Sequence, residues 1–172
     1  MATCCCSPCR PAYKRHVDAI YPAAAEDGLV KNKMESLVYF AMTSPEKLDR
    51  IGEYLAYRIS RDVNRSRKEF VFIGVDAMDQ LLKSACHVRT LNLFVESFLS
   101  TIQKLLESTD PDLQILASAS FLRFSKIEEE TPSYHRSYDF FISRFAVMCM
   151  SNYGDDNIRK RLRRHSKTTL TR

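Results

Sequence analysis

Apolar residues recur along most of this chain at three- and four-residue spacing, the rhythm of helices that bury one face. The clearest stretch follows Ser44 and Pro45: Leu48, Ile51, Leu55, Ile59 and Val63 fall on one side, and Asp49, Arg50, Glu53, Arg58 and Arg61 on the other. Ser44 offers a capping oxygen there, and Pro45 suits a first helical position, where its missing N–H costs nothing. The same rhythm predicts helices over about 29–43, 70–86, 91–107, 111–125 and 134–150. The stripe over 91–107 is wide, with Leu91, Phe94, Val95, Phe98, Leu99, Ile102, Leu105 and Leu106, as expected between two neighbours. Asp110 and Pro111 repeat the cap-and-proline start. The charged stretch 65–69 and the acidic run Glu128–Pro132 read as breaks.

Six helices of similar length with short turns predict an all-α chain of antiparallel repeats, a short α-solenoid of the HEAT or armadillo kind. A closed six-helix bundle is the alternative. Residues 1–28 read as a leader ending at Gly28, residues 29–152 as the repeat domain, and residues 153–172 as a tail. An uncapped last repeat would leave Phe140, Phe141 and Phe145 at its surface.

Composition sharpens this picture at the two ends. The 172 residues include only four glycines and six prolines, too few for the turns of an all-β fold. No apolar run approaches the roughly 18 residues that span a bilayer. The start lacks the apolar stretch of a signal peptide, which predicts synthesis and retention in the cytosol. Net charge is +5, and seven Arg or Lys with no acid lie in residues 158–172. The remainder holds 19 basic and 21 acidic residues, so the excess belongs to the tail, expected to be flexible and solvated.

Four of the six cysteines, Cys4, Cys5, Cys6 and Cys9, fall within the first nine residues. Neighbouring cysteines bridge poorly. Cys6 and Cys9 have C-x-x-C spacing, but no second Cys or His pair follows at zinc-finger distance. S-acylation fits better: thiols beside Arg10, Lys14 and Arg15 can meet anionic headgroups, each cation adding about 1 kcal/mol. One acyl chain binds marginally, while several with a basic patch anchor stably. Residue two is Ala, so the lipid would be carried by the thiols.

No catalytic pattern emerges. The four histidines are scattered, and no phosphate-binding Gly-rich loop, H-E-x-x-H or G-x-S-x-G is present. Cys86 and His87 are sequence neighbours that a helix turns about 100° apart. Asp76 and Asp79 share a helical face but are too few for a metal site. No enzyme, cofactor, metal or small-molecule substrate is expected.

Several blocks resemble the Rolling blackout family. They are CCCSPCRPAYKRHVDAIYP at the start, DGLVKNKMESL (27–37), SPEKLDRIGEYLAYRISRD (44–62), LNLFVESF (91–98) and IEEETPSYHRSYDFFISRFAVMC (127–149). The resemblance implies a palmitoylated plasma-membrane scaffold on the cytoplasmic face, built as a rod of helical repeats. Such scaffolds recruit the type III alpha phosphatidylinositol 4-kinase complex through a tetratricopeptide-repeat adaptor. It further implies that Cys4, Cys5, Cys6 and Cys9 carry acyl chains, although Ser7 and Pro8 separate Cys9 from a cluster that is usually tighter. The family's basic patch would include Lys14, Arg15, Lys31 and Lys33.

Family members are several times longer, so a truncated form without the adaptor-binding region is expected. Arg163, Arg164, His165 and Ser166 make an Arg-Arg-x-Ser pattern, which marks Ser166 as a candidate phosphorylation site that would weaken a tail–membrane contact. The runner-up reading is a nuclear or nucleic-acid-binding protein using the basic tail, although the tail lacks aromatics for stacking on bases.

Overall fold

The computed structural model describes residues 10–85, 91–127 and 135–150. They form seven α-helices: α1 Ala12–Ala19, α2 Lys31–Thr43, α3 Leu48–Asn64, α4 Lys68–Ala85, α5 Leu91–Glu107, α6 Pro111–Phe124 and α7 His135–Met150. Successive helices pair, α1 with α2, α3 with α4 and α5 with α6. Helices two apart stack, so that α1, α3, α5 and α7 make one row and α2, α4 and α6 the other. Two rows of this kind are an α-solenoid, in which each helical pair completes the burial of the one before. The bundle alternative is thereby set aside.

Helix α3 buries Leu48, Ile51, Leu55 and Ile59 and leaves Arg50, Glu53 and Tyr57 in solvent, following its periodicity. Helix α5 lies between α3 and α6, and Phe94, Val95, Phe98, Ile102, Leu105 and Leu106 are almost wholly buried. Each such side chain contributes about 1.5–3 kcal/mol on burial, so the α3–α5–α6 contact is the main source of cohesion. Two glycines let α5 and α4 approach α3. A Cβ on Gly52 would lie 2.8 Å from Phe94 Cδ2, and one on Gly74 would lie 2.5 Å from Ile59 Cγ1.

The element ends differ from the sequence expectation in informative ways. Ser44 does not cap with its side chain; a 3-10 turn over Pro45–Lys47 precedes α3, and Lys47 N–H bonds the Ser44 carbonyl at 2.9 Å. Asp110 does cap, accepting from Asp112 N–H at 3.0 Å. The charged break before α4 is only three residues long. Ser66 takes a left-handed φ of 54° and Arg67 N–H bonds the Asp62 carbonyl at 2.9 Å, so the helix restarts at Lys68.

The leader holds an element that periodicity does not predict. Helix α1 covers Ala12–Ala19, and Val17 and Ile20 are fully buried against the first repeat. At the other end, Phe141 is buried, with its ring 4.3 Å from that of Phe121, while Phe140 and Phe145 are half-buried. The expected open face of these phenylalanines is therefore corrected: Phe141 and Phe145 turn inward onto Phe121 of α6, Phe140 packs edge-on against Phe141, and Ile142 takes an exposed position. Arg144 secures the helix further, donating from Nη2 to the Leu106 carbonyl at the end of α5 at 3.0 Å. Among the described residues, no helix is long and apolar enough to cross a membrane.

Candidate membrane-facing site

Helix α1 starts behind Pro11, whose fixed φ of −52° suits a helix entry and whose carbonyl accepts from Lys14 and Arg15 N–H. One turn of α1 directs residues to different neighbours. His16 stacks on Phe40 of α2 at 4.7 Å, whereas Lys14 and Asp18 meet α3. Asp18 is the hub of that contact. Its carboxylate pairs with the Arg58 guanidinium, with Arg10 Nη1 at 2.6 Å, and accepts from the Tyr54 hydroxyl at 3.1 Å. Arg10 Nη2 in turn donates to Tyr54 Oη at 2.7 Å.

Behind this network the Arg58 guanidinium lies 3.9 Å from the centre of the Tyr21 ring, a distance suited to a cation–π contact. Burial pushes the Tyr21 phenol far above its ordinary range, with Asp62 and Asp18 adding to the effect and Arg58 opposing it. Burial also raises the Tyr54 phenol, and the Asp18 charge and hydrogen bond push it the same way. Both tyrosines therefore stay neutral at physiological pH. Asp62, which is 1% exposed, pairs with Arg67 at 2.9 Å and marks the inner end of the polar seam.

The basic residues expected at a membrane divide into two groups. Arg10 and Lys14 meet around Tyr54: Arg10 is 49% exposed, and the Lys14 amine stands 5.2 Å from the ring centre. Arg15 on α1 and Lys31 and Lys33 in the first turn of α2 are exposed. Cations in a first helical turn oppose the helix dipole, so Lys31 and Lys33 do not serve the stability of α2. Cys4, Cys5, Cys6, Cys9 and Ser166 lie outside the described residues, as do Cys86, His87 and the basic tail.

A shallow groove of about 480 Å³ runs between α1 and α2, lined by His16, Asn32, Glu35, Ser36, Tyr39, Phe40 and Thr43. The Ser36 and Thr43 hydroxyls donate to the Asn32 and Tyr39 carbonyls, each at 2.9 Å, and are thus occupied within their own helix. This edge of the molecule presents cations and phenols; it does not assemble a nucleophile with a base.

A family model described as EFR3, armadillo repeat, matches residues 34–170. The chain belongs to the EFR3 family. This is the Rolling blackout family of the sequence resemblance. The chain is 58% identical over 159 residues to Protein EFR3 homolog B of Danio rerio, and 57% identical over 160 residues to Protein EFR3 homolog A of Homo sapiens. Those alignments cover 92% and 93% of this chain and 19% of each relative. Protein EFR3 homolog cmp44E of Drosophila melanogaster is 57% identical over 149 residues, 86% of this chain and 18% of that one. The chain thus spans about a fifth of the length of the curated relatives it matches. A solved structure described as the crystal structure of Efr3 superposes with a TM-score of 0.72 over 87% of this chain and 30% of that chain. At 19% identity this likeness establishes the fold.

Two further polar clusters of this EFR3-family chain act as struts between its helices. Asp79 on α4 accepts from Arg123 Nε of α6 at 2.9 Å and from the Ser120 hydroxyl. Burial raises its pKa, against the opposing charge of Arg123. Asp76 accepts instead from Gln80 at 3.0 Å, so the two aspartates serve different partners. Lys68 at the start of α4 pairs with Asp110, the cap of α6, and with Asp112 at 3.4 Å.

Sequence reasoning missed Asp18, Tyr54 and Arg58 as a site. The polar face of α3 was visible in the alternation of its residues. What faces it is not, because α1 falls within residues 1–28, which read from sequence only as a leader.

Proposed function

We propose that this chain is the anchoring part of a non-enzymatic scaffold on the cytoplasmic face of the plasma membrane, held there by acyl chains on Cys4, Cys5, Cys6 and Cys9. In this reading Arg10, Lys14, Arg15, Lys31 and Lys33 contact anionic headgroups, and the helical repeats carry the anchor into a rod. The rod serves to localise a phosphatidylinositol 4-kinase complex through a tetratricopeptide adaptor. Recruitment itself belongs to the rest of an EFR3-type protein, of which this chain spans about a fifth.

The observation that carries the reading is the close relation to EFR3 homologues over about nine-tenths of the chain. Two features agree with it. Cys9 directly precedes Arg10, which is bound to α1 and α3, so an acyl group there would have almost no leash. Several acyl chains also supply the affinity that scattered cations alone do not.

Metabolic labelling with an alkyne fatty acid tests it. Hydroxylamine-sensitive label on the wild-type chain, lost when the four cysteines become Ser, is the expected result. Equal label on both chains would refute acylation at these thiols. Recovery of the adaptor and kinase with this chain at near-equal amounts would refute the assignment of recruitment to other parts of the protein.

A further inference from the structure

Each odd-numbered helix before α7 packs against the even-numbered helix that follows it, and the even-numbered helices stack in their own row. Among the described residues, α7 has no following partner and α6 no further neighbour in that row. Both helices carry apolar side chains into solvent there: Leu122 of α6 is 58% exposed and Ile142 of α7 is 65% exposed. Along α7 the exposed residues Asp139, Ile142 and Ala146 follow at three- and four-residue spacing, which makes one helical face with an acid at its N-terminal end.

The next residues in sequence have the pattern to cover this face. The link 151–156 contains Gly154, Asp155 and Asp156, and its length is within the range of about two to eight residues usual between packed helices. Ile158, Leu162 and His165 then recur at helical spacing on one side, and Arg159, Lys160, Arg163, Arg164 and Lys167 fall on the other. An antiparallel register that sets Leu162 opposite Ile142 also sets Ile158 opposite Ala146, and it brings the basic end at Arg164 and His165 to Asp139. The armadillo-repeat match runs over residues 34–170, which carries the repeat pattern past α7 and through this stretch.

We propose that residues 157–167 dock on α6 and α7 as the cap of this helical stack, with Ile158 and Leu162 covering Leu122 and Ile142. The end of a solenoid needs an element whose outer face is polar, and the outward cations supply it. Asp155 and Asp156 complement the start of such a helix, and Arg163, Arg164 and Lys167 its end. So short a segment is not helical by itself in water, so its order depends on the docking. The basic stretch then closes the apolar end of the rod, in a role separate from the acyl anchor.

Amide hydrogen exchange on the purified 172-residue chain, read by mass spectrometry, tests the docking. Residues 158–165 are expected to exchange about tenfold or more slowly than the same sequence as a free peptide, in a chain that is monomeric by sedimentation. Leu162→Asp on one side of the contact and Ile142→Asp on the other should each abolish that protection and leave α3 and α5 protected. Exchange of 158–165 at the free-peptide rate in the wild-type chain would overturn the proposal. Protection that survives Ile142→Asp would place the segment elsewhere and overturn it equally. Protection that arises only as the chain dimerises would give the face to a second copy, again contrary to the proposal.

Discussion

Asp18 on α1 and Arg58 on α3 are ion-paired across forty residues of sequence, and the same carboxylate holds Arg10 and the Tyr54 hydroxyl. One acidic side chain thus joins the first helix to the rod. Removing it leaves two guanidinium groups without their shared acceptor, beside the cation–π contact with Tyr21.

The Asp18→Ala chain is therefore expected to lose about 1.5–3 kcal/mol of stability, the range for a hydrogen bond to a charged group. Loss of amide-exchange protection should concentrate in Ala12–Ala19. Unchanged protection of α1 would contradict the role given to Asp18.

Gly74→Ala should destabilise by roughly 1–3 kcal/mol, the usual cost of overpacking. In an exposed helix the same change stabilises by up to about 1 kcal/mol, so the sign is diagnostic. The close approach of Ile59 Cγ1 and the Tyr21 hydroxyl, at 2.5 and 2.8 Å from the added carbon, sets the expectation. A urea midpoint at or above that of wild type would show that α3 and α4 are less close than described.

Asp110 gives stability a pH dependence with a definite sign. Burial alone would raise its pKa, but hydrogen bonds from Lys68 and from the Asp112 and Leu113 amides outweigh it and hold the value below the usual 3.8. A carboxyl with a depressed folded-state pKa stabilises the protein above 3.8, and that contribution fades as pH falls through the folded value. Asp110→Ala should cost about 1 kcal/mol at neutral pH through the lost cap. Urea melts of the two chains should converge as the pH falls from 3.8 through the depressed folded-state value; a gap that stays constant would rule out the carboxylate as its source.

The repeat helices were legible because their stripes are long. Four buried aliphatic residues of α3 and the wide apolar face of α5 point to one answer whatever the neighbours are. Helix α1 was not, because eight residues with Val17 as their buried apolar side chain carry too little periodicity. Its docking depends on Asp18 finding Arg58, a long-range match that no local pattern announces. Ser44 and Asp110 show the same limit at a single position. Both precede a proline, yet the 3-10 turn after Ser44 leaves its hydroxyl unused as a cap, whereas Asp110 caps α6 directly. Among the basic residues near the start, Arg10, Lys14 and Arg15 stand out by their place beside the cysteine cluster, and Lys31 and Lys33 by the family resemblance. Their division into a Tyr54-bound pair and an exposed set needed the packing of α1 on α3.

In the proposed function, thiol-linked acyl chains hold this EFR3-family chain at the membrane. Each buried acyl CH₂ is worth about 0.8 kcal/mol, so a single long chain outweighs Arg10, Lys14 and Arg15 together. The direct measurement is membrane fractionation of cells expressing the wild-type chain and a variant with Cys4, Cys5, Cys6 and Cys9 all changed to Ser. The wild-type chain should sediment with plasma membrane and the quadruple variant should move to the cytosol. A quadruple variant that remains in the membrane fraction to the same extent would contradict the account.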